Sequence, residues 1–274
     1  MDGEADASTQ SVLLESLEAG VLTLTLNRPG RYNALNVPLQ EALALAIRRA
    51  GTDDDCRVVM LTGAGKGFCA GADLADRSIT PGDVRPDLGE SLDKRYNPLI
   101  RAMRSLPKPI VCAVNGAAAG AGANLALACD IVLAAKSAKI LQAFARIGLV
   151  PDAGGTWILP RLIGDARARA LMMLADPIGA EEAEDWGMIY RAVDDDQLMG
   201  QAREIAERLA AGPTRAYGLM KRAFAASFGN SLDAQLDLER DLQREAGGTD
   251  DFVEGVRAFL EKRQAIFGAG KSGA

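Results

Sequence analysis

The segment Pro107–Ala135, PKPIVCAVNGAAAGAGANLALACDIVLAA, decides the fold class of this 274-residue chain. It begins with an apolar run at Ile110–Val114, passes through a loop of small residues into a helical stretch, and ends on a second apolar run. Its length would allow a membrane span, but Asn115 and Asp130 interrupt it. The pattern favours a buried strand, a loop, a helix and a second strand, which is typical of α/β proteins with parallel strands.

The alternation of strands and helices extends towards the N-terminus. Val21–Leu26 (VLTLTL) alternates as a half-buried strand does, and Arg57–Leu61 (RVVML) is apolar, as in a sheet covered on both faces. Between them Pro38 opens an amphipathic helix. A polar, proline-containing loop is predicted over residues 75–90, followed by a helix around Leu92–Ser105.

The pattern changes after residue 196, where strands give way to helices. Four helices are predicted, separated by Gly or Pro: Gln197–Ala211, Thr214–Phe228, Leu232–Ala246 and Asp251–Arg263. We therefore predict an α/β core with the active site over residues 1–196 and a helical region over residues 197–274.

The composition excludes several classes of function. The chain has no histidine, so no mechanism can use imidazole as a base or metal ligand. Its four cysteines contain no Cys-x-x-Cys pair, and a metal site is therefore not expected. The net charge of −6, without a cluster of Lys and Arg, argues against a nucleic-acid partner. The acidic start, MDGEADASTQ, is unlike a signal peptide, and we expect a cytoplasmic protein without a membrane partner.

Two loops of small residues follow predicted strands. They are GAGKGFCAGADL at 63–74 and NGAAAGAGAN at 115–124. Such loops let a ligand approach the backbone, so two N–H groups could form an oxyanion hole, or the glycines could simply allow close packing. Gly65–Ala70 also fits a loose G-x-G-x-x-A, but a polar loop follows it where a dinucleotide site needs a helix.

A single acid stands in the uncharged stretch GLVPDAGGTW at 148–157. On its own, an Asp at this place is most often a helix N-cap. The alternative is that Asp152 transfers protons, since a chain without histidine must use a carboxylate for this chemistry. Its neighbours Leu149, Val150 and Trp157 would then be expected to raise its pKa.

Four separated motifs together resemble the crotonase (enoyl-CoA hydratase/isomerase) superfamily. They are LNRPGRYNAL (26–35), TGAGKGFCAGADL (62–74), the segment 107–135 and GLVPDAGGTWILPRLIG (148–164), and their order and spacing match over essentially the whole chain. The resemblance implies a ClpP-like spiral of ββα units with a C-terminal helical trimerisation region. It also implies an acyl-CoA substrate, no cofactor beyond the coenzyme A that the substrate carries, and a homotrimer or hexamer.

Shorter stretches are similar to one branch of this family, which isomerises ring-epoxide derivatives of phenylacetyl-CoA. These stretches are YNPLIRAMRSLPKP (96–109), DAGGTWILPR (152–161), EEAEDWGMIYRAVDD (181–195) and LDAQLDLERDLQ (232–243).

The resemblance also assigns residue roles. The two oxyanion donors would be the N–H groups of Ala72 and Ala121. Hydratases of the family carry a glutamate at each of two positions where this chain has Asn124 and Phe144. Related isomerases use an acid at the position of Asp152, and one carboxylate beside a thioester enolate suffices to move a proton between carbons.

Further residues are implied to contact the substrate. Arg28 and Arg31 would meet the phosphates of coenzyme A, and Phe144 and Trp157 would flank a flat acyl group. The other implied substrate-contacting residues are Ala34, Ala70, Asp73, Leu74, Gly120 and Asn124. We predict a CoA-thioester isomerase; the alternatives are an enoyl-CoA hydratase of fatty-acid oxidation and a non-catalytic protein that binds CoA esters.

Overall fold

The computed structural model describes residues 11–73, 85 and 87–268. The strands are β1 (Leu13–Glu18), β2 (Val21–Leu26), β3 (Val58–Gly63), β4 (Gly67–Cys69), β5 (Ile110–Val114), β6 (Ala117–Ala119), β7 (Ile131–Ala135), β8 (Lys139–Leu141), β9 (Ile178–Gly179) and β10 (Arg191–Val193). The helices are α1 (Val37–Thr52), α2 (Leu88–Ser91), α3 (Asn97–Ser105), α4 (Ala121–Leu127), α5 (Gly155–Ile163), α6 (Asp165–Leu174), α7 (Ala180–Asp185), α8 (Leu198–Ala210), α9 (Thr214–Ser227), α10 (Leu232–Gly247) and α11 (Asp250–Glu261).

Within the described ranges, the strands form two sheets. The larger has the order β1-β2-β3-β5-β7-β10 and is parallel except for the hairpin of β1 and β2. The smaller has the order β4-β6-β8-β9, and its first three strands are parallel. Three strands of the larger sheet, β3, β5 and β7, are each followed across a short loop by a strand of the smaller sheet, β4, β6 and β8. The first two of these crossings lie within the two predicted loops, which also contain β4 and β6.

The burial of the central strands follows from their sequences. Every residue of β3 and of β5 is buried, as expected for apolar strands that are covered on both faces. Helix α1 covers part of the sheet and begins where Asn36 caps it by accepting a hydrogen bond from the N–H of Leu39. On the opposite face α8 packs across β3, β5 and β7, so the first of the late helices belongs to the core.

The structure confirms most of the predicted elements. The predicted strands correspond to β2, β3, β5 and β7, and the four late helices to α8–α11, with ends within two residues of those predicted. The predicted loop over 75–90 lies mostly outside the described residues, although its end is helical from Leu88. The smaller sheet was missed, because its strands are only two or three residues long and depend on pairing partners distant in sequence.

Candidate active site

The first loop presents the N–H of Ala72 on an exposed edge of the fold. Ala72 forms an isolated parallel bridge with Leu35. In this bridge the N–H of Leu35 donates to the carbonyl of Gly71, and the N–H of Asp73 donates to the carbonyl of Leu35. In a parallel bridge of this kind the residue between the two bonded neighbours turns its own N–H away from the partner strand. The N–H of Ala72 therefore points away from Leu35, as an oxyanion donor must.

The second loop ends at Ala121, the first residue of α4. Gly120 precedes it with φ +51° and ψ −124°, a conformation that favours glycine, and its N–H donates to the carbonyl of Leu141 at 2.8 Å. As the first residue of a helix, Ala121 has an N–H with no carbonyl four residues earlier in that helix. Its side chain is buried, so only the backbone is available for chemistry.

The two loops meet at Gly71. A Cβ added to Gly71 would lie 2.7 Å from the carbonyl oxygen of Ala119 and 3.4 Å from the backbone nitrogen of Ala121. Gly71 also has φ +90°, so a side chain would be strained there as well as crowded. The residue before one predicted donor thus contacts the other donor, which brings the N–H groups of Ala72 and Ala121 to the same place.

Asp152 lies in a tight turn directly before α5. The next two residues, Ala153 and Gly154, both have positive φ, +48° and +81°. This is uncommon for alanine, and strained backbone of this kind often marks functional sites. Helix α5 is capped by Gly154 and begins at Gly155, so the carboxylate of Asp152 does not serve as its N-cap. The interpretation of Asp152 as a helix cap is therefore wrong.

Asn124 links Asp152 to the second loop. Its side chain is fully buried on α4, one turn after Ala121, and its Nδ2 donates to the backbone carbonyl of Asp152 at 2.8 Å. Its Oδ1 accepts a hydrogen bond from Nε2 of the buried Gln142 at 2.9 Å. The amide thus holds Asp152 near the first turn of α4. Gln142 was missed from the sequence, where a single polar residue in the run LQAF was the available signal.

Phe144 fills the second position where hydratases of the family carry a glutamate. Its side chain is buried, and its ring lies beside Gly120, with Cζ 3.7 Å from the position of a Cβ there. Phe144 therefore forms an apolar wall next to the N–H of Ala121. Neither Asn124 nor Phe144 can act as an acid or a base, so neither can replace the two glutamates that hydratases of the family use.

Trp157, the other residue predicted to flank a flat acyl group, packs against α9 in the single chain. Trp157 is 41% exposed and packs edge-on against Phe228 of α9, while the guanidinium of Arg161 lies 4.1 Å from its ring centroid. It lines a cavity with residues at the end of α4, whereas Phe144 lies at the start of that helix. Val150 is 80% exposed, so within one chain it does not supply the apolar environment expected around Asp152 either.

The guanidinium of Arg28 forms an ion pair and a hydrogen bond within the protein. Its Nη1 lies 2.8 Å from Oδ2 of the buried Asp73 and also donates to the carbonyl of Ala34. This arrangement favours a role in holding the loop of Ala72 over the predicted contact with a phosphate. By contrast, Arg31 is exposed to solvent. Ala70 is exposed too, and its N–H donates to the carbonyl of Tyr32. The predicted contact residue Leu74 lies outside the described residues.

A cavity of about 300 Å³ opens beside the first loop. Asp73 borders it, together with Leu35 just before α1, Gln40 in the first turn of α1, and Arg95 in the π-helical segment Leu92–Tyr96 between α2 and α3. Its size is at the lower end of the range for small-molecule sites.

Other chemistries find no support in the described part of the chain. Burial raises the pKa of Cys69, beside the first loop, to about 12, so this thiol stays protonated at neutral pH. The loose G-x-G-x-x-A motif contributes strand β4 and does not open a helix, which excludes a dinucleotide fold at that loop. The described residues contain no group of three or more side chains suited to a metal ion. None of the described helices is both long and apolar enough to cross a membrane.

The fold and the site place the chain among known proteins. A profile of the enoyl-CoA hydratase/isomerase family matches residues 16–270, and the chain belongs to this family. The 1,2-epoxyphenylacetyl-CoA isomerase of Escherichia coli K12 is 52% identical to it over 93% of this chain and 97% of its own length. A Rhodobacter capsulatus protein named "probable enoyl-CoA hydratase" is 49% identical, covering 92% of this chain and 95% of its own.

A solved structure agrees with this assignment. The enoyl-CoA hydratase of Bacillus anthracis superposes with a TM-score of 0.87 at 34% identity, covering 93% of this chain and 98% of that one. The predicted family and its crotonase fold are therefore confirmed.

Proposed function

We propose that the protein is a CoA-thioester isomerase that uses Asp152 as its proton-transfer group. The observation that supports this proposal is the hydrogen bond from Asn124 to the backbone of Asp152, which ties this acid to the helix that begins at the predicted donor Ala121. Asn124 and Phe144 stand where hydratases of the family carry glutamates. Hydration needs one group to activate water and another to protonate carbon, whereas a double-bond shift needs a single group that removes and returns a proton.

The mechanism follows from this arrangement. The thioester carbonyl accepts hydrogen bonds from the N–H groups of Ala72 and Ala121, which stabilise the negative charge that develops on its oxygen. The Asp152 carboxylate takes a proton from the carbon next to the thioester, giving an enolate and a protonated Asp152. The same carboxyl returns the proton at another carbon, and the double bond shifts. No metal or redox cofactor takes part, and coenzyme A enters with the substrate.

For the substrate we propose a ring-bearing acyl group, of the kind named for the E. coli relative. Phe144 offers one flat apolar wall beside Gly120, the residue before the predicted donor Ala121. An aromatic or cyclic acyl group gains dispersion and ring-edge contacts at such a wall. We assign the contact with the phosphates of coenzyme A to Arg31, which is exposed. A cytoplasmic location fits this substrate.

The test is to offer the purified protein a ring-epoxide ester, a 3-enoyl ester and crotonyl-CoA, in water and in deuterium oxide. Isomerisation with deuterium entering the acyl carbons supports the proposal. Hydration of crotonyl-CoA at the rate of isomerisation or faster would instead identify a hydratase, the activity for which the R. capsulatus relative and the B. anthracis protein are named. Binding without exchange or turnover would identify a non-catalytic CoA-ester binding protein.

We also propose that the protein is a homotrimer or a dimer of trimers. The late helices carry large apolar side chains that the single chain leaves exposed, among them Leu232, Leu236, Val256 and Leu260. A monomer rarely exposes so many on neighbouring elements, and a second copy would cover them. Light scattering should give at least about three times the chain mass of 28.8 kDa at micromolar concentration, and a stable monomer would contradict the proposal.

A further inference from the structure

We propose that Asn124 and Gln142 are positioning residues that hold the backbone of Asp152, and with it the base of its carboxylate side chain, in place through a buried chain of hydrogen bonds. This inference rests on the proposed function, because it concerns the group assigned there to proton transfer. It gives Asn124 a role of its own: at a position where related hydratases carry a catalytic acid, this chain carries the amide that holds a different acid in place.

The geometry requires an amide at position 124. The Nδ2 atom donates to the carbonyl of Asp152 at 2.8 Å, while Oδ1 accepts from Gln142 at 2.9 Å. Both side chains are almost completely buried, Asn124 at 0% and Gln142 at 3% exposure. An aspartate at 124 would lack the donor, a leucine would lack both groups, and water has little access to replace either bond.

Holding this carbonyl fixes the position of the Cα atom of Asp152. The carbonyl of Asp152 accepts two bonds, one from Asn124 and one from the N–H of Gly155 at 2.9 Å. The peptide that follows is planar, and Ala153 and Gly154 continue with the positive φ values already described, so the backbone here has one sharply defined path. With this peptide plane held, the Cα atom from which the carboxylate projects is held as well.

The packing around Asn124 leads to the same conclusion. A Cβ at Gly155 would lie 2.3 Å from Nδ2 of Asn124, so the absence of a side chain at Gly155 gives the amide room to reach its carbonyl. The Oε1 of Gln142 is buried, and among the described residues it has no hydrogen-bond partner. Burying an unsatisfied acceptor lowers stability, and an apolar side chain would avoid this cost. Gln142 is better explained by its contact with Asn124 than by packing.

The inference predicts what three neutral substitutions do, none of which adds a charge near Asp152. Asn124→Ala removes the donor, Gln142→Leu removes the support of Asn124, and Gly155→Ala displaces the amide from the other side. We expect Asn124→Ala and Gly155→Ala to lower kcat by about 10- to 100-fold with KM changed by less than about threefold, because misplacing a reacting group by about 1 Å costs this much. Gln142→Leu should cause a smaller loss in the same direction.

The readout that separates positioning from a merely structural role is the kinetic isotope effect with substrate deuterated at the carbon next to the thioester. It should rise in the variants, because proton transfer becomes rate-limiting, while the thermal unfolding midpoint of Gln142→Leu stays near that of the wild type. The matched control is Asn230→Ala, which removes an exposed amide hydrogen bond to Gln235. This variant should leave kcat, KM, the isotope effect and the unfolding midpoint unchanged.

Two outcomes would overturn the inference. One is a folded Asn124→Ala or Gly155→Ala variant with kcat within threefold of the wild type; if one of these does not fold, the other decides. The other is a loss confined to KM with an unchanged isotope effect. Asp152→Asn in the same assay keeps the two proposals apart. If Asp152→Asn stays active, the proposed function fails; if it is inactive while Asn124→Ala is normal, only the positioning role fails.

Discussion

The guanidinium of Arg28 lies 2.8 Å from the carboxylate of Asp73, the residue that directly follows the proposed oxyanion donor Ala72. Both side chains are largely shielded from solvent, Asp73 more than Arg28. The N–H of Asp73 also donates to Leu35, so the residue is tied to the preceding segment by its backbone and by its side chain. The ion pair thus fixes the loop that presents Ala72.

The first prediction concerns this ion pair. Arg28→Met keeps much of the length of the side chain but leaves the Asp73 carboxylate with less support, so the free energy of unfolding should fall by about 1–3 kcal/mol. Because the oxyanion donor loses its fixed position, kcat should fall by about tenfold or more. Denaturant unfolding and steady-state kinetics measure the two effects.

The matched control for Arg28 is Arg31→Met in the same short turn. Arg31 is exposed, and its proposed contact is with the coenzyme A phosphates, so this variant should raise KM while kcat and stability stay close to the wild type. An equal effect of the two substitutions on KM alone would show that Arg28 acts on coenzyme A after all.

The second prediction concerns Asp152. Asp152→Asn keeps the shape of the side chain but removes the base, and kcat should fall by at least about a thousandfold. Binding of a CoA ester should persist, since the two backbone donors are untouched; isothermal titration calorimetry can measure this. Asp165→Asn, on the surface of α6, is the matched control. Turnover within tenfold of the wild type would refute the assignment of Asp152.

Much of the fold could be predicted because its signals are local. The late helices were found from their apolar periodicity and their Gly or Pro breaks, and β3 and β5 from runs that are apolar throughout. The short strands of the smaller sheet gave no such signal, because β6 reads as three alanines that could equally belong to the helix that follows.

The site was predictable only in part, for a related reason. The positions of Ala72, Ala121 and Asp152 came from motifs, but the contacts among them depend on segments far apart in sequence. The hydrogen bond from Asn124 to Asp152 spans 28 residues, and that from Gln142 to Asn124 spans 18. The packing of Trp157 against Phe228 could not be predicted, because residue type alone does not tell which neighbour a side chain on α5 contacts.

The third prediction tests whether hydratase residues can be restored. From the sequence alone, Asn124→Glu with Phe144→Glu should supply the missing acid and base. The structure predicts that the double variant gains no crotonyl-CoA hydration, because a glutamate at 124 loses the bond to Asp152 and meets the closely packed Gly155. Two charges in buried positions should also lower the free energy of unfolding by about 3 kcal/mol or more. A stable, hydrating double variant would contradict this view of Asn124.

The fourth prediction concerns the pH dependence of the C-terminal helix. Hydrogen bonds from Arg263, and then from the N–H of Ile266, lower the pKa of Glu254 in α11 to about 2. A carboxyl whose pKa is lower in the folded state stabilises the fold above its unfolded value of about 4.3, and this contribution disappears as the pH falls towards 2.

Glu254→Gln should therefore lower the thermal unfolding midpoint at pH 7, and its difference from the wild type should shrink steadily between about pH 4.5 and pH 2. The pair is exposed, so 1 M salt should also reduce the difference. Glu239→Gln on α10 is the control, and differential scanning calorimetry is the measurement. A difference that does not change with pH would show that Glu254 acts through packing alone.

The last prediction concerns the acyl group. The buried ring of Phe144 lies against Gly120, next to the N–H of Ala121, so a flat ring bound there would have its thioester carbonyl close to the oxyanion donors. A linear chain loses more conformational entropy when it is held in one pose. The ratio kcat/KM should therefore be higher for a ring-epoxide ester or 3-hexenoyl-CoA than for a long-chain 3-enoyl-CoA.

Phe144→Leu, which keeps an apolar side chain but removes the flat face, should reduce the preference for the ring ester while leaving 3-hexenoyl-CoA turnover within a few-fold. A long-chain ester that is preferred by tenfold or more would place the enzyme in fatty-acid oxidation and refute the ring-bearing substrate.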